Sequence, residues 1–141
     1  LVELRNNALL NVNLNILLTN VIDSGMARTD AELIFQCNVD DLVLPSQVKL
    51  AFYRIAQEAV SNAIKHGNPG IINCILQEND QTLEMIIQDN GTGFSMDKVS
   101  DDHFGLQIMR ERADQAGVDL TVVTQPGSGT SVTVRWKKVQ L

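Results

Sequence analysis

Thr82-Leu83-Glu84-Met85-Ile86-Ile87-Gln88-Asp89-Asn90-Gly91-Thr92-Gly93 is the stretch on which the fold turns. Leu83, Met85 and Ile87 recur at every second position, the period of a strand with one buried face. Asp89 stands where that pattern stops, and Gly91 and Gly93 follow it. An acid and two glycines at a strand end build a core poorly. They are well suited to bringing backbone close to a bound ligand beside a fixed carboxylate. Asp-Asn-Gly is also ordinary turn chemistry, so the segments on either side must decide between the two readings.

Upstream, Ile71 to Gln77 reads as a second strand, joined to the first through Glu78-Asn79-Asp80-Gln81 as a hairpin with a four-residue loop. Downstream, a polar stretch precedes a helix from Leu106 to Ala116, which Gly117 ends. Two last strands, Leu120 to Thr124 and Thr130 to Val134, flank Gln125-Pro126-Gly127-Ser128-Gly129. Before the first hairpin, residues 1–22 carry Leu1, Leu4, Ala8, Leu9, Val12 and Ile16 at helical spacing, with Gly25 as the stop. Leu33 to Cys37 reads as a short strand. Pro45 and Ser46 open a strong helix, with Ser46 as N-cap, that runs to about His66 and halts at Gly67-Asn68-Pro69-Gly70. Paired hairpins with interspersed helices predict an α+β two-layer sandwich, a mixed, mostly antiparallel sheet with helices on one face.

At 141 residues the chain has the size of one domain and can bury a full core. Its net charge of −6 argues against a nucleic-acid surface, which needs basic patches. It leaves room for a nucleotide held by local donors and a magnesium ion. Cys37 and Cys74 each lie in an apolar stretch and are expected as two buried, reduced thiols. No apolar run approaches the length of a membrane span. The chain opens at Leu1 without a charged leader, and we expect it to be a piece of a longer protein.

On the long helix, Phe52, Ile55, Ala56, Ala59 and Ala63 form an apolar stripe, and Arg54, Glu58, Asn62 and Lys65 a polar one. At about 100° per residue, Asn62 sits roughly 40° from Glu58 and Lys65 roughly 20° to its other side. An acid, an amide and a base thus project along one line. A solvated face laced by charge pairs would look the same. The small residues beside the stripe instead suggest a helix buried on most sides, whose polar groups need partners. An Asn oxygen can enter a magnesium shell, and a Glu one turn earlier can orient a coordinated water or activate a hydroxyl.

These segments resemble the boxes of a known family. Tyr53-Arg54-Ile55-Ala56-Gln57-Glu58-Ala59-Val60-Ser61-Asn62-Ala63-Ile64-Lys65-His66 is similar to the N box of sensor histidine kinases. Asp89-Asn90-Gly91-Thr92-Gly93-Phe94 resembles their first glycine box. His103-Phe104-Gly105-Leu106, followed by Ile108-Met109-Arg110-Glu111-Arg112-Ala113, resembles the second, and Gly127-Ser128-Gly129-Thr130 the final Gly-x-Gly-Thr. Four boxes in order cover roughly residues 45–136. The Lys-His ending and the Met-Arg-Glu-Arg run are similar to the nitrate/nitrite-sensor subfamily.

The resemblance implies the Bergerat ATP-binding fold, shared with gyrase, with ATP and Mg²⁺ as its ligands. It implies that Asn62 is the Mg²⁺ ligand and Glu58 the catalytic N-box acid. Lys65 and His66 match positions that reach the phosphates, and Asp89 the acid that accepts a hydrogen bond from the adenine amino group. Gly91 and Gly93 let backbone approach the nucleotide. Gly105 and Leu106 belong to the far hinge of a lid over residues 94–104, and Thr130 supports the adenine site. For Met109, Arg110, Glu111 and Arg112, packing and a surface ion network are favoured over phosphate contact.

Two departures stand out. His103 replaces the first glycine of the usual Gly-x-Gly-Leu, which bears on phosphate geometry. The phosphoacceptor helix is missing, since His66 and His103, the two histidines of the chain, both fall inside ATP-site boxes. Residues 1–25 are therefore expected to be the remnant of a connection to that phosphoacceptor domain, and 26–141 the catalytic domain. The implied partners are that domain and a downstream response regulator, with no nucleic acid and no direct membrane contact. The implied setting is the cytoplasm, with an anchor for the parent in the bacterial inner membrane left open. A non-catalytic nucleotide-sensing module and an anti-sigma-factor serine kinase of the same fold are the alternatives.

Overall fold

β3 (Thr82–Asp89), the strand of the quoted stretch, lies at the centre of a five-stranded sheet. The computed structural model describes residues 9, 11–39, 43–95 and 105–138. In chain order the remaining elements are α1 (Leu14–Met26), β1 (Glu32–Cys37), α2 (Ser46–Asn62) continued by a π turn (Ala63–Gly67), β2 (Ile71–Glu78), α3 (Leu106–Ala116), β4 (Asp119–Thr124) and β5 (Thr130–Lys137). The strand order is β1-β2-β3-β5-β4. Only the β1–β2 pair is parallel; the other three are antiparallel, so the sheet is mixed as expected.

Alternation dictates which face is covered. Ile72, Cys74 and Leu76 of β2, Leu83, Met85 and Ile87 of β3, and Val132 and Val134 of β5 are all buried on one side. α2 crosses that side between α1 and α3, and α1 leans on β1 while α3 leans on β4. Phe52, Ile55, Ala56 and Val60 of α2 are fully buried among them. Each such large apolar side chain contributes roughly 1.5–3 kcal/mol on burial. α1 supplies Leu14, Leu18, Val21 and Ile22 to the same cluster. The expected division at residue 25 therefore falls near the end of a helix that shares the core of the sheet.

Several local expectations need correction. Gly25 does not stop α1 but lies inside it, because a Cβ there would stand 2.6 Å from Leu33 Cδ2; the glycine lets helix and strand approach. The helical pattern on residues 1–8 lies outside the described residues. Ser46 is not the N-cap of α2. Pro45 holds that position, extended, and its carbonyl accepts from Lys49 N at 3.1 Å. The β2–β3 loop is one residue shorter than expected, because Asn79 Oδ1 accepts from both Gln81 N and Thr82 N at 2.9 Å and closes the turn itself. Cys74 is buried, and that burial, with a smaller effect of nearby Cys37, pushes its thiol up to about 12. Cys37 is exposed, since it ends an edge strand.

Two glycines in the β4–β5 turn test how the sheet end is closed. Both have positive φ. A Cβ at Gly127 would meet nothing within 4 Å, whereas one at Gly129 would collide with the Asp89 carbonyl. Gly127→Ala should cost about 1–2 kcal/mol of left-handed strain. Gly129→Ala should cost at least about 2 kcal/mol more, because a backbone atom must move. Urea denaturation of the two variants reads the difference; equal losses would mean the Asp89 backbone yields freely.

Candidate functional site

The backbone from Asp89 to Phe94 is wedged between two turns. On one side, Thr92 N donates to Gly67 O at 2.8 Å, and Asn90 Oδ1 accepts from Gly70 N at 2.8 Å and Ile71 N at 2.9 Å. On the other, Gly127 N donates to Thr92 O at 2.5 Å, and Phe94 N donates to Thr124 Oγ1 at 3.0 Å. The two glycines of this segment sit where those turns press closest. A Cβ at Gly91 would strike the Gly67 carbonyl, and one at Gly93 the Gln125 carbonyl.

The wedge opens a cavity between the sheet and the helices. Ile87, Val122 and Val132 form its sheet wall; Ala59, Ala63, Leu106 and Met109 form its helix wall; Phe94 closes one side. Polar groups enter at few points. Asp89 reaches in from the end of β3, opposite Thr130 of β5. Asn62 and His66 reach in from the end of α2.

Asp89 is half-buried. Burial raises its carboxyl above the usual range, opposed by hydrogen bonds from the backbone amides of Gly91 and Thr130. Gly91 N donates to its Oδ1 at 2.8 Å. One carboxylate oxygen is thereby held in place, which aims the group. An acceptor so fixed, on the wall of a largely apolar cavity, can hold an amino group of a bound ligand.

The structure gathers Asn62, His66, Asp89, Gly93, Leu106 and Thr130 around one cavity. Four other expected residues stand elsewhere. Lys65 is exposed and outside the cavity wall. The helical phase that aligned it with Glu58 breaks at the π turn, which is underwound relative to an α-helix and brings His66 round instead. Gly91 packs its α-carbon against Gly67 rather than lining the space. Glu58 lies half-buried against Gly105, the left-handed residue that starts α3, where the positive helix end favours a carboxylate. Residues 96–104, most of the expected lid and with them His103, lie outside the described residues. Met109 packs as expected, 1% exposed.

The apolar walls were missed as site residues although their signal was present. Ile87 stands two residues before Asp89, Val132 two after Thr130, and Met109 three after Leu106, so each shares a face with a candidate. Among the described residues no group of three or more His, Cys, Asp or Glu side chains forms a metal cage, and no helix is long and apolar enough to cross a membrane.

Residues 47–140, from α2 to the end of the sheet, match the family described as histidine kinase-, DNA gyrase B-, and HSP90-like ATPase. The chain belongs to this family. Every element around the cavity lies within the matched span of this ATPase family. Among its relatives, the nitrate/nitrite sensor protein NarQ of Escherichia coli is 34% identical over 125 residues, 87% of this chain and 22% of that protein. The sensor protein VraS of Staphylococcus aureus is 37% identical over 97 residues, 69% of this chain and 28% of that protein. The chain thus spans about a quarter of the length of these sensors. The Acinetobacter baumannii histidine kinase AdeS superposes with a TM-score of 0.73 at 14% identity, over 96% of this chain and 75% of that one, which speaks for the fold. Both relatives are sensor proteins, and the matched family includes the histidine kinases to which the four boxes pointed.

The raised Asp89 carboxyl makes a prediction about the ligand-free domain. Its protonated form is favoured by folding, so its contribution to stability is complete below about pH 4 and is lost as pH rises through the raised value. Asp89→Asn cannot ionise and escapes that loss. It should be more stable than the unaltered chain at neutral pH, with the margin shrinking toward pH 4. Urea denaturation across that range checks it. A variant less stable at neutral pH would mean that the amides of Gly91 and Thr130 outweigh burial.

Proposed function

We propose that this domain binds Mg·ATP with adenine against Asp89 and donates the γ-phosphate to a histidine on a separate phosphoacceptor domain. The observation that supports this most is the aimed, half-buried Asp89 carboxylate on the wall of a largely apolar cavity. A carboxylate accepting from an amino group is a charge-assisted bond worth roughly 1.5–3 kcal/mol. Guanine would place a carbonyl there, unpaired against the acid. Thr130 supports the base from β5, and Gly93 lines the cavity beside it. Leu106 and Gly105 bring the amides at the start of α3 toward the phosphates.

Asn62 and Glu58 fit a magnesium site by their chemistry: an amide oxygen on the cavity wall, with an acid one turn earlier on the same helix. When bound, the ion would neutralise phosphate charge. His66, and Lys65 beside it, supply further positive charge or donors at that end. In the transfer itself, a histidine nitrogen of the partner domain attacks the γ-phosphorus. The bond to the β–γ bridging oxygen breaks and ADP leaves. The task of this chain is to position and neutralise. Residues 1–25 lead toward the phosphoacceptor domain, and a response regulator takes the phosphoryl group next. The domain works in the cytoplasm.

Asp89→Asn should weaken ATP binding at least about tenfold by calorimetry, since an acceptor-only group becomes one that also presents donors. Unchanged affinity would remove Asp89 from the base site. Asn62→Ala should flatten the magnesium dependence of ATP binding while leaving magnesium-free binding within about twofold. Identical magnesium titrations would refute the metal assignment. Joining the domain to its native upstream helix and following labelled γ-phosphate tests the reaction. Label on histidine supports the kinase. Label on serine supports the anti-sigma-factor alternative, and none supports a nucleotide-sensing module.

A further inference from the structure

Thr124 is the last residue of β4 and stands directly opposite Thr130 of β5. Its hydroxyl is a junction. Phe94 N donates to it at 3.0 Å, Thr130 Oγ1 lies 2.9 Å away, and Gly129 O lies 3.3 Å away. Phe94 and Thr130 both line the cavity. Thr124 does not, so it can act on a ligand only through them.

A hydroxyl has one proton to give. The Phe94 amide already takes one lone pair of Thr124. Its proton can then go to the Gly129 carbonyl or to the Thr130 hydroxyl. In the first case Thr130 must donate to Thr124, and it faces the cavity as an acceptor only. In the second case Thr130 accepts from Thr124 and keeps its own proton for the cavity, facing it as a donor. These two states read different bases. Adenine presents an amino donor next to a ring-nitrogen acceptor. Guanine presents the reverse, a carbonyl acceptor next to a ring N–H. Asp89 as acceptor with Thr130 as donor complements adenine, directly or through one bridging water.

We propose that Thr124 is a positioning residue for base selection, which by donating to Thr130 turns that hydroxyl into a donor toward the base. This rests on the assignment of the cavity to ATP. The distances favour it: Thr130 Oγ1 at 2.9 Å lies within the usual O–H···O range and Gly129 O at 3.3 Å beyond it, and chained hydrogen bonds strengthen one another. The relay thus joins a cavity wall to the base-reading hydroxyl through a residue outside the cavity.

The test uses the whole chain with Mg·ATP and Mg·GTP, with affinities read by calorimetry. Thr124→Val keeps the shape and removes the hydroxyl. It should lower ATP affinity on the order of five- to tenfold with little change for GTP, so the ATP:GTP preference narrows. Thr124→Ser should restore the preference to within about twofold. Thr130→Val should lose a similar amount, and adding Thr124→Val to it should cost nothing further, because the two act through one contact. If Thr124→Val fails to fold, Thr124→Ala carries the same expectations. An unchanged preference, a serine variant that does not rescue, or losses that add in the double variant would overturn the relay and leave Thr124 a packing role. Failure of the underlying assignment looks different: the unaltered chain would bind no ATP, or Asp89→Asn would bind it equally well.

Discussion

The site depends on backbone packed against backbone. At Gly91, Gly93 and Gly129 a missing side chain lets one peptide lie against the carbonyl of another, at Gly67, Gln125 and Asp89 respectively. These three contacts, with the hydrogen bonds from Thr92, Gly127 and Phe94, lock the end of the central strand between the turn after α2 and the turn before β5. A carboxylate on a loose loop would be a poor reader of a base. Here Asp89 belongs to the sheet register, paired with Ile72 on one side and Thr130 on the other. Its position is therefore as rigid as the sheet, which is the condition under which a single hydrogen bond can discriminate.

The same rigidity sets a tension between stability and recognition. An ordinary domain would end its central strand with an apolar residue and close the gap between Met109 and Val132. This chain leaves the gap open and places in it a carboxylate whose burial disfavours the charged form. Two amides, those of Gly91 and Thr130, compensate in part. Strained or costly groups of this kind persist where the surrounding structure over-determines them. Here the over-determination comes from Phe52, Ile55 and Val60, buried one layer away. Their packing holds α2 at a fixed height above the sheet, and so holds Asn62 at a fixed height above Asp89's cavity.

Much of this was legible before any coordinates, and what was not has identifiable causes. The alternation in β3 and the glycines around α3 gave element and boundary together: Leu106–Ala116 is bounded by left-handed Gly105 and Gly117 as the spacing predicts. Asn62, Asp89 and Thr130 meet at one cavity because motif order reports the register of strands. Lys65 was placed by a period of 3.6 that the chain abandons at Ala63, and no composition signal marks a π turn. Gly25 looked like a stop because a glycine inside a helix and one beyond its end read alike until the neighbour, Leu33, is known. Thr124 was invisible for a related reason. A threonine on an edge strand is ordinary β composition. It acquires a role only when pairing sets it opposite Thr130, and a long-range amide, that of Phe94, finds it.

The cavity has two chemically distinct ends, and the fold builds them from different materials. The end proposed for the base is made by strands: Asp89 and Thr130 lie at strand ends, fixed relative to each other by ladder hydrogen bonds. The end proposed for the phosphates is made by helix ends: Asn62 and His66 close α2, and Gly105 opens α3 beside Glu58. Sheets hold geometry through many shared bonds, whereas helix ends present unsatisfied donors and partial charge. On that proposal, base selection falls to the part that can distinguish a proton from a lone pair. Charge neutralisation falls to the part whose groups tolerate variation in position, because Coulomb attraction falls off slowly with distance while a hydrogen bond does not. On that proposal, His103 in place of a glycine bears on the phosphate end and leaves Asp89 and Thr130 at the base end unaltered.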